Sequence, residues 1–381
     1  MTDPLAPERV LAELIAVPSA SSLSNAPLIG CVLELLQPLG WHCSIHSYVD
    51  PAGIEKQNLI ASPLPQSGET AHAELAVVCH TDTVPPDPGW KQAVQAHQEN
   101  GSLHGLGACD VKGFLACMIA TAHRLHAVQL QRPLCFVFTS DEEIGCRGAQ
   151  FLCHSKLLTA RYAIVGEPTS LAPATGGKGY CLAAVTVLGR PAHSAYPDAG
   201  SSAILAAARL ITAIELLGQQ LKSDCDERFS PPYTTLNIGT IQGGTAKNVV
   251  PAVCRFLLEW RPIPSQSPSL VADRVRALAQ AAPCNGADSL QIQIEILRED
   301  PGFTTPPDSP VVQALLAEAS GPLQTIAFGT EAPWLARMGA DAVVIGPGSM
   351  LTAHSPRECV PIAELHRCTD LLERVIVNLC A

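Results

Sequence analysis

Glu74-Leu-Ala-Val-Val-Cys79 is a short, nearly unbroken apolar run that stops at His80-Thr-Asp82. A run of that length closed by turn residues reads as a buried strand. Two later segments repeat the pattern. Pro133-Leu-Cys-Phe-Val-Phe138 leads into Asp141, Glu142 and Glu143, and Ala163-Ile-Val165 leads into Gly166-Glu167. Between the first two runs lies Val111–Leu125, apolar almost throughout and so read as a buried helix. Strands alternating with helices give an α/β fold. In such sheets ligand sites gather at the carboxyl ends of strands, where these histidine and carboxylate groups stand.

The pattern changes near Lys178. Tyr180–Leu188 reads as a strand, and Ser201–Gln219 as a long Ala/Leu-rich helix with Ser201 or Ser202 free to cap it. Tyr233–Ile241 and Val249–Arg261 read as strands, Ser269–Ala282 as an amphipathic helix and Leu290–Leu297 as a last strand. The order βαββαβ is that of a ferredoxin-like unit. After Pro301 the α/β character resumes, with a helix at Val311–Ser320, a strand at Ala342–Ile345 and a closing helix at Pro361–Leu379. The simplest organisation is a catalytic domain of residues 1–177 and 299–381 interrupted by an inserted domain of residues 178–298.

The chain has 381 residues, of which 47% are hydrophobic and 15% charged, enough to bury a sizeable core. A net charge of −11 argues against a nucleic-acid partner. No basic stretch followed by an apolar one opens the chain, and no apolar run approaches the roughly 18 residues of a membrane span, so a cytoplasmic protein without a membrane partner is expected. The 15 cysteines include no C-x-x-C pair and are expected to be mostly reduced and structural.

Five segments hold candidate ligands: His80 with Asp82, Asp110, Glu142 with Glu143, Glu167, and His354. Each alone is weak, since a lone carboxylate at a strand end is most often solvated. Together they place carboxylates after successive apolar strands with few lysines or arginines between, and a buried carboxylate needs a cation or several donors to stay ionised. Mixed nitrogen and oxygen ligands suit zinc, with cobalt or manganese less selectively matched. Two ions about 3.5–4 Å apart and bridged by a carboxylate are a recurrent hydrolytic arrangement. Asp82 can orient the His80 imidazole, and Glu142, adjacent to a proposed ligand, has the look of a general base.

Val78-Cys-His-Thr-Asp-Thr-Val84, Gly105-Leu-Gly-Ala-Cys-Asp-Val-Lys-Gly113, Thr139-Ser-Asp-Glu-Glu-Ile-Gly145 and Gly166-Glu-Pro-Thr-Ser170 resemble the M20 family of metallo-aminoacylases and peptidases. Gly189-Arg-Pro-Ala-His-Ser194, Gly243-Gly-Thr-Ala-Lys-Asn-Val249, Gly329-Thr-Glu-Ala-Pro333 and Gly346-Pro-Gly-Ser349 extend the resemblance over nearly the whole chain. The last two point to the branch that deacetylates small N-acyl amino acids, acetylated ornithine first. The resemblance implies a zinc-peptidase-like catalytic domain with a mixed central sheet, and an inserted lid and dimerisation domain in a homodimer. It implies two zinc ions, replaceable by cobalt, one held by His80 and Glu167, the other by Glu143 and His354, with Asp110 bridging. It makes Glu142 the acid/base and Asp82 the orienting residue. It sends His193 to the partner's site to stabilise the oxyanion, and implies a cis peptide after Asp110. Asn248 and Arg261 match positions that hold the substrate carboxylate; Thr330, Glu331 and Ser349 match substrate-pocket positions.

Cys79 stands where the family usually has glycine, and Cys109 directly precedes Asp110. Neighbours on a strand point oppositely, so both thiols are expected to face away from the ligands; a thiol that makes the site sensitive to oxidation is the alternative. Other family activities, namely desuccinylation of succinyl-diaminopimelate, deacetylation of acetylcitrulline and dipeptide cleavage, share the ligand set. A non-catalytic scaffold would have no use for all five ligands and Glu142. Gly105-Leu-Gly107 alone is too little for a nicotinamide-binding loop.

Overall fold

The structure, a computed structural model, describes residues 5–66, 68–281 and 290–381. It divides into two compact units. One comprises the described residues as far as Gly176 together with Thr304–Gln324 and Thr330–Ala381; the other comprises Gly177–Phe303 and Thr325–Gly329.

In the first unit the three apolar runs are adjacent strands: Leu134–Thr139, Ala71–His80 and Leu158–Val165, all parallel, with Asp341–Val344 parallel beyond the last. Glu55–Ser62 and His42–Val49 add antiparallel strands on the other side, so the central sheet is mixed. The strand Leu134–Thr139 is buried at every position, which its Leu-Cys-Phe-Val-Phe sequence satisfies without any polar face. The helices Lys112–Arg124 and Ile362–Cys380 share the main core with it, through Phe114, Met118, Leu365, Leu372 and Ile376 against Phe136 and Phe138. Because the strands run parallel and in register, with His80 opposite Thr139, their carboxyl ends lie along one edge. His80, the Ser140–Glu143 turn and Glu167 therefore emerge together.

The second unit runs Tyr180–Leu188, Ala203–Leu221, Thr235–Gly243, Val253–Arg261, Leu270–Ala281 and Gln291–Asp300, the expected βαββαβ order. Its antiparallel sheet places Thr235–Gly243, Val253–Arg261, Tyr180–Leu188 and Gln291–Asp300 side by side. Alternation along Tyr180–Leu188 buries Cys181, Ala183, Val185 and Val187 against the helices. Ala282, expected to end the second helix of this unit, lies outside the described residues.

The helix Ala203–Leu221 corrects one expectation, because it is 19 residues long and apolar enough by length and composition to cross a membrane. Arg209, Glu215 and the terminal glutamines break the apolar run in the sequence, which hid the length. Ala203, Ala207, Leu210, Ile214, Leu217 and Leu221 recur at helical spacing and pack on the sheet, while Leu205 and Leu216 face out. Ser202 caps it, its Oγ accepting the Leu205 N–H at 3.3 Å.

The residue that joins a core strand to a candidate ligand is Gly166. A Cβ there would lie 2.1 Å from the Phe114 ring, which is fully buried. We expect Gly166→Ala to cost about 1–3 kcal/mol, the usual penalty for overpacking, and to lower metal content. The urea midpoint and bound metal per chain check this; a midpoint equal to that of the wild type would refute it.

Candidate metal centre

His80 ends its strand with 1% of its surface exposed. Its Nδ1 lies 2.9 Å from the main-chain carbonyl of Asp82. A carbonyl only accepts, so Nδ1 carries the proton and Nε2 faces the site. Nε2 is 3.2 Å from Asp110 Oδ1. Asp110 sits in a loop turned by Gly107 at φ 78°, and its peptide to Val111 is cis. The other oxygen, Oδ2, is 3.1 Å from His354 Nε2, and that same nitrogen is 3.1 Å from Glu143 Oε1. His354 has φ 56°, a left-handed conformation that non-glycine residues seldom adopt and that surrounding structure must hold.

Ligand atoms of His80, Asp110 and Glu143 all lie within 4.8 Å of one another. Glu167, 2% exposed, has a buried Oε1 with no hydrogen-bond partner. Burial pushes its carboxyl well above the usual range, and the charges of Glu142, Asp110 and Glu143 push it further against the pull of His80. Burial also works against the Asp110 carboxylate, yet hydrogen bonds from His354 and His80 hold it well below the usual range. His354 is raised to about 10 by its bonds to Asp110 and Glu143. A lone pair and a carboxylate oxygen facing each other at about 3 Å need a cation between them, either a proton or a metal. An unpartnered buried glutamate oxygen asks for the same. The residues present fit divalent metal: ligand atoms of His80, Asp110 and Glu143 lie close together, and His354 Nε2 is 3.1 Å from both Asp110 and Glu143.

Asp82 meets the His80 imidazole through its main-chain carbonyl and not through its carboxylate. Its carboxylate Oδ1 is 3.7 Å from Nδ1, too far for a hydrogen bond. That carboxylate instead accepts the N–H of Glu142 at 3.0 Å, the N–H of Glu143 at 3.2 Å and the Ser21 hydroxyl at 2.6 Å. It pins the turn that carries both glutamates. Asp141, beside them, is turned the other way and held by Lys56 Nζ at 2.8 Å and by the Tyr48 hydroxyl at 2.9 Å. Nothing in the sequence marks these supports, which come from residues 60 to 93 positions away.

Glu142 accepts the Cys146 thiol at 3.3 Å. Burial pushes its carboxyl up to about 8; the His80 charge opposes this and Glu143, Asp82 and Glu331 add to it. Cys79 is fully buried and directs its thiol to the carbonyls of His80 and Val111, while the Cys109 thiol lies 3.7 Å from the Ser349 carbonyl, Thr352 Oγ1 and Glu358 Oε1. Burial pushes both thiols up, which keeps them protonated in the metal-free chain. No disulfide joins the described cysteines.

The remaining candidates divide between the units. Glu331 is wholly buried in the first, near enough to His80 to feel its charge; burial pushes its carboxyl up to about 7, with His80 pulling it down. Thr330 Oγ1, next to it, is buried without a partner. Ser349 Oγ accepts the Leu351 N–H at 3.3 Å and so shapes the turn before His354. His193, Asn248 and Arg261 belong to the second unit. The exposed His193 accepts the Ala195 N–H on Nδ1 at 3.1 Å, which leaves Nε2 protonated and outward as a donor. The Asn248 carbonyl accepts the Ser194 N–H at 3.0 Å. Arg261 pairs with Glu259 at 2.9 Å and stacks on Tyr180, its Cζ 3.8 Å from the ring centre.

The pattern of peptidase family M20/M25/M40 matches residues 76–378. An acetylornithine deacetylase of Myxococcus xanthus is 45% identical over 372 residues, covering 97% of this chain and 96% of that protein. Among solved structures, a tripeptidase of Staphylococcus aureus aligns with a TM-score of 0.77 and 22% identity over 100% of this chain and 99% of its own. A dinuclear metal-binding M20 peptidase of Bacillus subtilis aligns with a TM-score of 0.67 and 15% identity, over 97% and 96%.

The raised Glu142 carboxyl has a consequence for the metal-free chain. A folded pKa near 8 against an ordinary 4.5 leaves stability intact below 4.5 and removes it as pH rises through about 8. Glutamine mimics the protonated form at every pH. Stripped of metal, Glu142→Gln should melt a few degrees above the wild type near pH 8 and level with it near pH 4.5. Calorimetry at the two pH values checks this, and equal melting at both would contradict it.

Proposed function

Because the chain belongs to peptidase family M20/M25/M40, we propose that it is a cytoplasmic, homodimeric di-zinc amidohydrolase. It removes the acetyl group from N2-acetyl-L-ornithine to give ornithine and acetate, a step of arginine biosynthesis. The observation that carries the hydrolytic reading is Asp110, whose two oxygens face two different imidazoles at 3.2 and 3.1 Å. The substrate follows from the 45% identity with the Myxococcus xanthus deacetylase over nearly the full length of both chains.

His80, Glu167 and Asp110 would hold one ion, and Glu143, His354 and Asp110 the other; cobalt can replace zinc in such a ligand set. When bound, the ions polarise the acyl carbonyl and bring the pKa of an attacking water to about 7. The chain's own residues do the rest. Glu142 takes the proton of that water and returns it to the departing α-amine. Its carboxyl stands on the turn next to the proposed ligand Glu143, where it can reach both the water and the amine. Asp82 keeps Glu142 and Glu143 at fixed positions through their backbone, so neither must reorganise during the reaction. His193, with Nε2–H outward, donates to the oxyanion in the partner subunit's site. Arg261 and Asn248 receive the α-carboxylate, a planar fork suited to bidentate pairing, and Thr330, Glu331 and Ser349 shape the pocket for the side chain.

Loaded with zinc or cobalt, the protein should release amine from N-acetylornithine at least tenfold faster, by kcat/KM, than from N-acetylcitrulline or succinyl-diaminopimelate. Preference for either of the latter would replace the substrate while keeping the chemistry. Glu142→Ala should retain its metal and lose roughly a thousandfold in kcat; turnover within tenfold of the wild type would refute the acid/base role.

The cross-subunit role of His193 has its own check. Mixing inactive His193→Ala with inactive Glu142→Ala chains should restore part of the activity, since one site of each mixed dimer is intact. No restoration would place the action of His193 within its own subunit or outside the chemistry.

A further inference from the structure

Glu358 carries no signal in the sequence that set it apart, yet it is among the most enclosed carboxylates of the first unit, 1% exposed. It stands immediately before the strand Cys359–Pro361, which pairs antiparallel with Ser102–His104. From there it touches the Asp110 loop repeatedly. Its carbonyl accepts the Gly105 N–H at 3.3 Å. Its side-chain Oε1 accepts the Cys109 N–H at 3.2 Å and the Asp110 N–H at 3.1 Å. Its own N–H donates to the Ser355 carbonyl at 2.9 Å, one residue beyond His354.

One residue thus bonds both backbones: the loop that delivers Asp110 and the turn that delivers His354. The side chains so delivered meet at 3.1 Å. Burying a carboxylate is costly unless donors meet it, and charge-assisted bonds to main-chain N–H groups are among the strongest available. Lys112, also buried, spends its ammonium on the carbonyls of Leu14 and Val17, and burial lowers its pKa to about 8 against the opposing charge of Glu358. Glu358 is therefore tied up with backbone, meeting residue 110 at its N–H and not at its carboxylate.

We propose that Glu358 is a positioning residue of the metal centre, fixing the backbone of Asp110 against the His354 turn so that a single carboxylate can serve two cations. The inference rests on Asp110 as the shared ligand. Residues that hold ligands in place commonly change metal affinity by about 10–100-fold when altered.

The experiment is cobalt titration of the full-length, metal-stripped protein, followed by visible absorption and by chelator competition, with kcat and KM measured on the loaded enzyme. Glu358→Ala should bind cobalt about 10–100-fold more weakly and lose kcat with KM nearly unchanged. Glu358→Gln, which keeps an acceptor oxygen, should recover most of both. If the alanine variant does not fold, Glu358→Asp, with the acceptor withdrawn by one methylene, should show the weaker affinity instead. Wild-type cobalt affinity in folded Glu358→Ala, or in Glu358→Asp, would overturn the proposal, as would a lowered melting temperature with affinity unchanged. A wild-type protein that binds no cobalt would sink the metal reading itself, a result that is separate because no substrate is involved.

Discussion

The Asp110 carboxylate, enclosed and faced on each oxygen by an imidazole nitrogen, sets the conditions for everything around it. A carboxylate in that position is ionised only if positive charge reaches both sides of it. Glu143 and Glu167 crowd the same space with more negative charge, and Glu167 leaves an oxygen with nothing to accept from. Like charges are brought together in a low-dielectric pocket when a cation is meant to join them. The centre is thus an arrangement that makes sense only with divalent ions, and the raised carboxyls of Glu142, Glu143 and Glu167 express the cost of holding it without them.

That cost requires rigid support, and the supports share a design. Three ligand segments are the carboxyl ends of adjacent parallel strands, fixed by the sheet's register. The turns beyond the strand ends are pinned by buried side chains, many of whose bonds go to backbone. The Asp82 carboxylate accepts two N–H groups of the glutamate turn, and the Glu358 carboxylate accepts two of the Asp110 loop. Lys56 spans the carbonyls of Ser21 and Leu23 and the Asp141 carboxylate. A main-chain bond fixes where a side chain starts, which is what ligand spacing within a few tenths of an ångström demands.

Small residues matter for the same reason. Gly166 lets a core strand pass the Phe114 ring before Glu167, and Gly107 supplies the left-handed turn before Asp110. Chemistry is carried by few atoms, and most of the surrounding sequence serves to leave those atoms little freedom.

Much of this was legible from residues alone. Buried strands announce themselves as short apolar runs, so the α/β frame, the βαββαβ unit and the grouping of His80, Glu143 and Glu167 at strand ends followed from local pattern. Local pattern places the helix Ala203–Leu221 to within two residues, but Arg209 and Glu215 on its exposed side interrupt along the sequence a run that is continuous in space. The helices Pro7–Ile15 and Ala26–Leu36 carry an apolar periodicity that could have placed them, whereas polar residues interrupt the antiparallel strands His42–Val49 and Glu55–Ser62 and leave no clear pattern. Asp110 and His354 were candidates only by residue type and motif; nothing along the chain says that two loops 244 positions apart, from 110 to 354, end 3.1 Å from each other. Which Asp82 atom touches His80, and that Glu358 holds Asp110, were decided by tertiary structure alone. Periodicity encodes which face of an element is buried, whereas a hydrogen bond between loops depends on the three-dimensional meeting of segments that the sequence does not order.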